Sequence, residues 1–145
     1  MATTSQWYAQ SGGNLIASLW VPRQMGVVLL KDTYVPNIDT HMRYSDVSPQ
    51  EVAAGGTYVA GGKEIQGRSV SYDAAANEYN LLGSDLSWGP GATFATRHGA
   101  VYEMATADKW LWALLDFGQL INVNNGVFQI DWAAGLLSVQ AGPPV

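Results

Sequence analysis

The sequence predicts a mainly β fold, an antiparallel β-sandwich or barrel of jelly-roll-like type with one short helix and an N-terminal arm. From residue 57 onward, apolar residues recur with a period of two in short runs separated by Gly, Asn, Asp and Pro. No long helical patterns alternate with these runs, which argues against a doubly wound parallel sheet. We expect the arm at residues 1–25 and a single domain at residues 26–145.

The first third of the chain contains one ambiguous segment, one strand and one short helix. Residues 15–20 fit both a helical face and an alternating strand, and Pro22 ends whichever element forms. Residues 26–30 are a compact apolar run with two valines, which predicts a buried strand. Ser48, followed by Pro49 and by Glu51 three residues after the Ser, predicts a helix start that the glycine pair at 55–56 stops early.

The rest of the chain has the spacing of β-hairpins. The run at 110–117 is apolar on both alternating sets of positions, which predicts a central strand covered on both faces and the main core element. Asn125 and Gly126 both tolerate positive φ and predict a type I′ turn that closes a final hairpin. The other predicted strands lie at residues 57–59, 64–72, 78–82, 92–97, 100–104 and 136–139.

Composition excludes several classes of function. Seven Lys and Arg against twelve Asp and Glu give a net charge of −5, with no basic cluster that could neutralise phosphates, so no nucleic acid partner is expected. Without cysteine the chain has no disulfide, thiolate zinc site or cysteine nucleophile. The first residues lack a secretory pattern, and no apolar run approaches the ~20 residues of a membrane span. We expect no membrane partner, and synthesis in the cytoplasm.

Four motifs that suggest chemistry have simpler structural interpretations. Asp-Phe-Gly at 116–118 matches a kinase triplet without the motifs that accompany it, so a strand ending in a turn is expected. The glycine-rich residues 55–63 lead into a strand, so close backbone approach is favoured over phosphate binding. Asp39, His41 and Asp46 do not supply a full metal-ligand set, and His98 lacks an identifiable serine partner. No cofactor or metal is expected.

Three carboxylates give the least implausible enzymatic interpretation. Glu103, Asp116 and Asp131 lie on or beside apolar strands, where burial could raise a pKa and create an acid and nucleophile pair of the glycosidase kind. Acids at strand ends more often meet solvent or a backbone amide. A small carboxylate-based hydrolase is therefore kept as a remote alternative to a non-catalytic protein.

Aromatic residues in the arm indicate protein contacts. Trp7, Tyr8 and Trp20 lie in a weakly patterned segment, and exposed aromatic side chains are enriched in protein interfaces. We predict that these three residues dock on a neighbouring protein.

Three segments, taken in order and spacing, resemble a group of small structural proteins of tailed phages. They are Thr57 to Lys63, Val70 to Asn77 and Leu86-Ser87-Trp88. The closing part is also similar to that group: an apolar strand entering Asp-Phe-Gly, followed by Asn125-Gly126 and a strand ending at Trp132. The resemblance covers residues 26–139 and rests on turn and core residues, which encode a fold better than a function.

The resemblance implies a virion component, either a capsid decoration or cement protein on the head or a minor tail or receptor-contact protein. The implied partners are the major capsid protein or other virion proteins, with a homo-oligomer or lattice-bound copies. Trp110 and Trp112 make their run more aromatic than is expected of the group, so we predict a distinctive contact surface there. A cysteine-free, acidic β module with few charges suits a particle component that must not adhere to DNA.

Overall fold

The computed structural model describes residue 3, residues 11–132 and residues 136–140. The prediction of a mainly β, antiparallel fold is confirmed: two antiparallel sheets fit a β-sandwich-like class, and neither sheet closes into a barrel. The elements, in chain order, are α1 (Ser11–Trp20), β1 (Met25–Leu30), α2 (Tyr44–Val47), a 3₁₀ turn (Ser48–Gln50), β2 (Lys63–Glu64), β3 (Ser69–Asp73), β4 (Glu78–Leu82), β5 (Leu86–Glu103), β6 (Leu111–Ile130) and β7 (Leu137–Gln140).

The contacts divide the chain into two compact units. The first comprises Met1–Arg23, Gln66–Ser84 and Trp132–Val145, and the second comprises Gln24–Ile65 and Asp85–Asp131. The sequence-based division into an arm at 1–25 and one domain at 26–145 groups the chain differently, and whether residues 26–145 fold as one domain stays a prediction.

The first unit joins α1 to a three-stranded sheet of order β3-β4-β7. The ambiguous segment at 15–20 is helical, and its last residue, Trp20, is fully buried with its indole N–H donating to the Leu82 carbonyl (3.1 Å). A side chain at Gly13 would come within 2.0 Å of the Tyr79 ring, so glycine is what lets the helix approach it. Arg68 donates to the Trp20 carbonyl and so satisfies one of the free acceptors at the helix end.

The second unit is built on a four-stranded sheet of order β2-β1-β5-β6. The predicted strand at 26–30 is confirmed as β1, all six residues of which are buried, with β2 pairing on one edge and β5 on the other. This central position explains why the run is continuously apolar, since neither face meets water. One core cluster combines residues of β1, α2, β5 and the 31–43 loop: Val28, Leu30, Tyr34, Val47, Ala100 and Tyr102.

The prediction that residues 110–117 form the central strand is wrong. Residues 111–117 begin β6, which among the described residues forms a strand ladder with β5 alone and lies at the edge of its sheet, and many of its side chains are partly or fully exposed. The error has a physical cause. An apolar pattern on both alternating sets is equally compatible with an edge strand that presents part of its apolar surface to solvent or to a partner.

The predicted hairpin turn at Asn125 and Gly126 is also wrong, because β6 continues through both residues to Ile130. Asn125 has φ 49° but Gly126 does not have positive φ, so no type I′ turn forms. Ala92 pairs with Gly126 and Phe94 with Val123, which leaves one extra residue on β6. The Asn-Gly signal therefore marks a β-bulge within the strand.

Several other boundaries differ from the sequence prediction. The helix predicted to start at Ser48 is instead α2 (Tyr44–Val47) followed by a single 3₁₀ turn. The predicted strand at 57–59 reduces to one bridge between Gly55 and Tyr58, and the one predicted at 64–72 is divided between β2 and β3. The runs at 92–97 and 100–104 belong to the single strand β5, and β6 does not end at Asp-Phe-Gly but has an irregularity there, with Gly118 at φ +81°.

Candidate protein-contact surface

A small, mostly apolar cavity opens where the loop after β1 meets the start of β6, within the second unit. Its volume is about 120 Å³. Aliphatic and aromatic side chains line most of it, and its residues include Tyr34, Ile38, His41, Leu111, Trp112 and Leu114. The Tyr34 hydroxyl and Nδ1 of His41 form a hydrogen bond (2.9 Å) that fixes two polar groups of the lining. An apolar cavity of this size holds roughly one side chain or a benzene-sized group.

Exposed apolar side chains line this cavity or belong to residues next in the chain to its lining. Val35 and Ile38 are 78% and 77% exposed, and Met42, Trp110 and Leu114 are also exposed. We call these five residues, with the cavity, the contact surface. Because isolated exposed apolar residues are ordinary and grouped ones mark binding surfaces, the grouping is the informative observation.

Backbone hydrogen bonds attach the loop to β6 and so hold the contact surface together. The Leu111 N–H donates to the Met42 carbonyl (2.9 Å), and the Tyr44 N–H donates to the Lys109 carbonyl (2.9 Å). Arg43 forms an isolated antiparallel bridge with Trp110 between these two bonds. The loop side chains are therefore positioned by an extended backbone and not by local turns alone.

Trp110 carries a cation above its ring. The guanidinium carbon of Arg43 lies 4.8 Å from the centre of the Trp110 ring, and Arg43 also pairs with Asp108 (3.6 Å). Both charged side chains are about half exposed, so this ion pair adds little stability. Its main effect is to orient the Arg43 guanidinium, which lies as a planar cation over one face of the partly exposed Trp110 ring.

Trp112 is the second tryptophan predicted for this surface, and a hydrogen bond to the buried Glu103 carboxylate holds its side chain in place. Its indole N–H donates to Oε1 of Glu103 (3.0 Å), and the Thr106 hydroxyl donates to Oε2 (2.9 Å). Glu103 is only 2% exposed, so these donors compensate a buried carboxyl group. Trp112 thus forms part of the cavity wall, whereas Trp110 is available to a partner.

The Glu51 carboxylate is the centre of a hydrogen-bond network. The sequence did not reveal this network, because there Glu51 indicated only the start of a helix. The Glu51 side chain accepts hydrogen bonds from the hydroxyls of Tyr44 (2.5 Å) and Tyr58 (2.8 Å) and from the Gly61 N–H (2.6 Å). Burial, together with the bonds to Glu51, raises the pKa of both tyrosines above the usual range. The Tyr44 ring also stacks on Tyr102 at 4.9 Å. The network therefore joins the 44–61 segment to the sheet.

The predicted contact residues thus have different positions. Trp110 is on the contact surface, and Trp112 lines its cavity. The burial of Trp20 corrects its assignment to a docking arm, since its side chain packs inside the first unit and hydrogen-bonds there. Trp7 and Tyr8 lie outside the described residues. The exposed loop residues Val35, Ile38 and Met42 were missed, although apolar residues beside the Pro36-Asn37 turn signal were a visible hint.

The carboxylates of the hydrolase hypothesis have separate surroundings. Asp116 forms an ion pair with His98 (3.8 Å), so its place along the sheet is that of His98. His98 lies five strand positions before Glu103, which separates Asp116 from Glu103 by roughly 16 Å along β5. Asp131 follows the far end of β6 and accepts a bond from Gln129. Glycosidase pairs stand about 5 to 9.5 Å apart, so the strand positions do not favour such a pair. No serine hydroxyl bonds to His98 in residues 11–132 or 136–140, and its Nδ1 is buried without a partner.

The remaining motifs have structural roles. The Asp46 carboxylate accepts the N–H groups of Met42 and Arg43 (2.9 Å each), and these bonds lower the pKa of Asp46. Within the described part of the chain, no group of three or more His, Cys, Asp or Glu could hold a metal ion. Gly62 has φ +78°, and a side chain there would lie 1.8 Å from the Val27 carbonyl oxygen, so the glycine-rich loop serves close backbone approach.

Comparison with protein-family models, with curated proteins and with solved structures finds no match to this chain. Among the described residues, no helix has the length and apolar character needed to cross a membrane.

Proposed function

We propose that this chain is a non-enzymatic structural protein of a tailed-phage particle, located on the virion after synthesis in the host cytoplasm. Its role is that of a capsid decoration or cement protein, which binds the major capsid protein or other virion proteins. The observation that carries the proposal is the contact surface, where two of five exposed apolar residues line a cavity for one side chain and the other three follow or precede lining residues in the chain. The sequence resemblance over residues 26–139 supports the choice of a phage particle.

The contact surface has the features of a binding hot spot. Aromatic anchors near the middle of an interface dominate affinity, and surrounding contacts exclude water from them. Trp110 with its stacked Arg43 fits the role of such an anchor, and the cavity beside Leu114 fits the role of a pocket that receives a side chain of the partner. Many copies on one lattice would add avidity to a modest affinity per copy.

Labelling of intact particles tests the role directly. Gold-conjugated antibody against this chain, applied to purified particles of the phage that encodes it, should label the whole head surface. Label confined to one end would replace decoration by the alternative of a minor tail or receptor-contact protein. Particles that contain none of this chain would contradict both roles.

Matched variants test the surface. Ile38→Asp places a charge beside the cavity and should reduce the number of bound copies at least tenfold at fixed concentration, about 1.4 kcal/mol or more. Val59→Asp is the control, because Val59 is 69% exposed in the same unit but is not part of the contact surface. Equal occupancy by both variants would refute the assignment of binding to this surface.

A further inference from the structure

Gly126, in β6, is a glycine that the backbone does not require. Its φ is not positive, and a Cβ built there would lie 3.7 Å from Cγ1 of Val123, an ordinary van der Waals distance. Gly89, on the facing strand β5, is different, because it has φ +121° and its Cβ would lie 2.4 Å from the Gly126 carbonyl oxygen. Alanine would therefore fit at residue 126. Glycine at this position instead leaves the backbone nitrogen that follows Asn125 without a side chain to shield it.

An asparagine that precedes glycine is a chemically labile residue. In the reaction the backbone nitrogen of the glycine attacks Cγ of the asparagine, the bond from Cγ to Nδ2 breaks, and the attacking nitrogen gives up its proton as ammonia leaves. A five-membered imide ring results, and its formation is favoured because both groups belong to one chain. Water then opens the ring at either carbonyl to give aspartate or isoaspartate. No atom is oxidised or reduced, and water is the co-reactant.

The Asn125 carboxamide is free to react. The residue is exposed, and within the part of the chain that the structure describes only its backbone N–H makes a side-chain bond, to Oγ1 of Thr93 (2.9 Å). Asn77 has a similar left-handed backbone, with φ 52° against 49°. However, its Oδ1 accepts a hydrogen bond from the Tyr72 hydroxyl (2.8 Å), and Glu78 follows it in place of glycine. Among the asparagines of the sequence, Asn125 alone precedes a glycine.

The backbone at Asn125 and Gly126 is held less firmly than a regular strand. Gly126 pairs with Ala92, and this single pair has a register shift on each side. Asn125 lies in one of these irregularities, where an extra residue of β6 stays unpaired. Closure of the imide ring requires rotation of the backbone between the two residues. At a pair isolated in this way, the rotation breaks fewer bonds than it would in a continuous ladder.

From these observations we infer that Asn125 is a modification site, at which the folded chain deamidates spontaneously to aspartate and isoaspartate. Each event adds one negative charge to a chain whose formal net charge is −5, two positions from the exposed Val127. The modification therefore changes the surface of β6 as the protein ages. The inference goes beyond the proposed particle role and does not depend on it, because the reaction involves only this chain and water.

Peptide mapping by mass spectrometry tests the inference on the wild-type chain. The folded protein is incubated in mildly alkaline buffer, and the same chain unfolded in guanidinium chloride gives the rate without the fold. The peptide that contains Asn125 should gain about one mass unit, and an isoaspartate methyltransferase should label it. The folded chain should react at a rate within about tenfold of the unfolded chain, a barrier difference of at most about 1.4 kcal/mol. A slower reaction in the folded chain would overturn the inference, because the fold would then protect the site.

Gly126→Ala is the matched variant. Its methyl group hinders attack by the adjacent nitrogen while the backbone accommodates it, so conversion of Asn125 should be slower than in the wild type by about tenfold or more. Asn77 in the same wild-type sample is the internal control and should stay unconverted while Asn125 reacts. Equal conversion of Asn125 in both proteins would overturn the inference, and so would equal conversion of Asn77 and Asn125. The comparison of folded and unfolded wild type gives a result even if Gly126→Ala fails to fold.

Discussion

Removal of the Glu51 carboxylate is expected to destabilise the second unit by about 3 kcal/mol. In Glu51→Ala, three donors lose their shared acceptor: the hydroxyls of Tyr44 and Tyr58 and the N–H of Gly61. The Tyr58 side chain is 3% exposed, so water cannot readily replace the lost partner. The Tyr44 hydroxyl is less buried and should recover part of its bonding from solvent.

The magnitude follows from how far water can replace the lost acceptor. A buried donor left without an acceptor costs about 1–3 kcal/mol, and this cost falls mainly on the buried Tyr58 hydroxyl; the partly buried Gly61 N–H, which loses a bond to a charged group, adds a smaller share. Glu51→Gln should cost less, about 1 kcal/mol, because its amide oxygen can take the place of Oε1, which accepts from both Tyr58 and Gly61. Asp32→Ala, at an exposed acid, is the control and should change stability by less than about 0.5 kcal/mol.

Urea denaturation followed by far-UV circular dichroism and by tryptophan fluorescence measures these differences, with coincident transitions required for a two-state treatment. A loss of about 3 kcal/mol corresponds to a fall in Tm of roughly 10 °C for a chain of this size. Two outcomes would refute the reasoning: a loss below about 1 kcal/mol for Glu51→Ala, or an equal loss for Glu51→Ala and Glu51→Gln.

Two further predictions concern alkaline stability and the bulge in β6. Burial, with Glu51 nearby, raises the pKa of Tyr102 to about 12, so the folded state holds this proton more tightly than the unfolded state. Stability should therefore fall as pH rises from about 10 to 12, and urea midpoints of Tyr102→Phe should fall less steeply than those of the wild type; equal slopes would contradict this. Asn125, at φ 49°, should tolerate Gly, whereas Val should cost about 1–2 kcal/mol in the same assay; equal midpoints for the two variants would argue against strain at this residue.

The parts of the fold that could be predicted are those fixed by local patterns. The continuous apolar run at residues 26–30 predicted a buried strand, which β1 is, and Glu78–Leu82 was predicted with its observed bounds. The Asn-Gly signal was local too, but a left-handed residue serves a bulge as well as a turn, and only the pairing with β5 decides between them. Sequence periodicity likewise could not place β6 at the edge, because strand order depends on distant contacts.

The contact surface was predictable only in part for the same reason. The unusual aromatic run led to the prediction of Trp110 and Trp112 as contact residues, which stays a prediction. The loop residues Ile38 and Met42 join them through backbone bonds between segments some seventy residues apart in the chain. The Glu51 network joins residues only seven to ten positions apart, but these positions lie in irregular loop structure, so they follow neither the helical nor the strand period and leave no spacing signature in the sequence.

The pairing of β1 with β5 has a consequence for synthesis. Met25–Leu30 pairs with residues 98–103, which leave the ribosome long after it. At 5–20 residues per second, this apolar segment waits roughly 3–15 seconds for its main partner. β2 can pair earlier, but it meets only Gly26 and Val27. The segment that is best covered in the finished protein is therefore exposed during translation, when aggregation competes most strongly with folding.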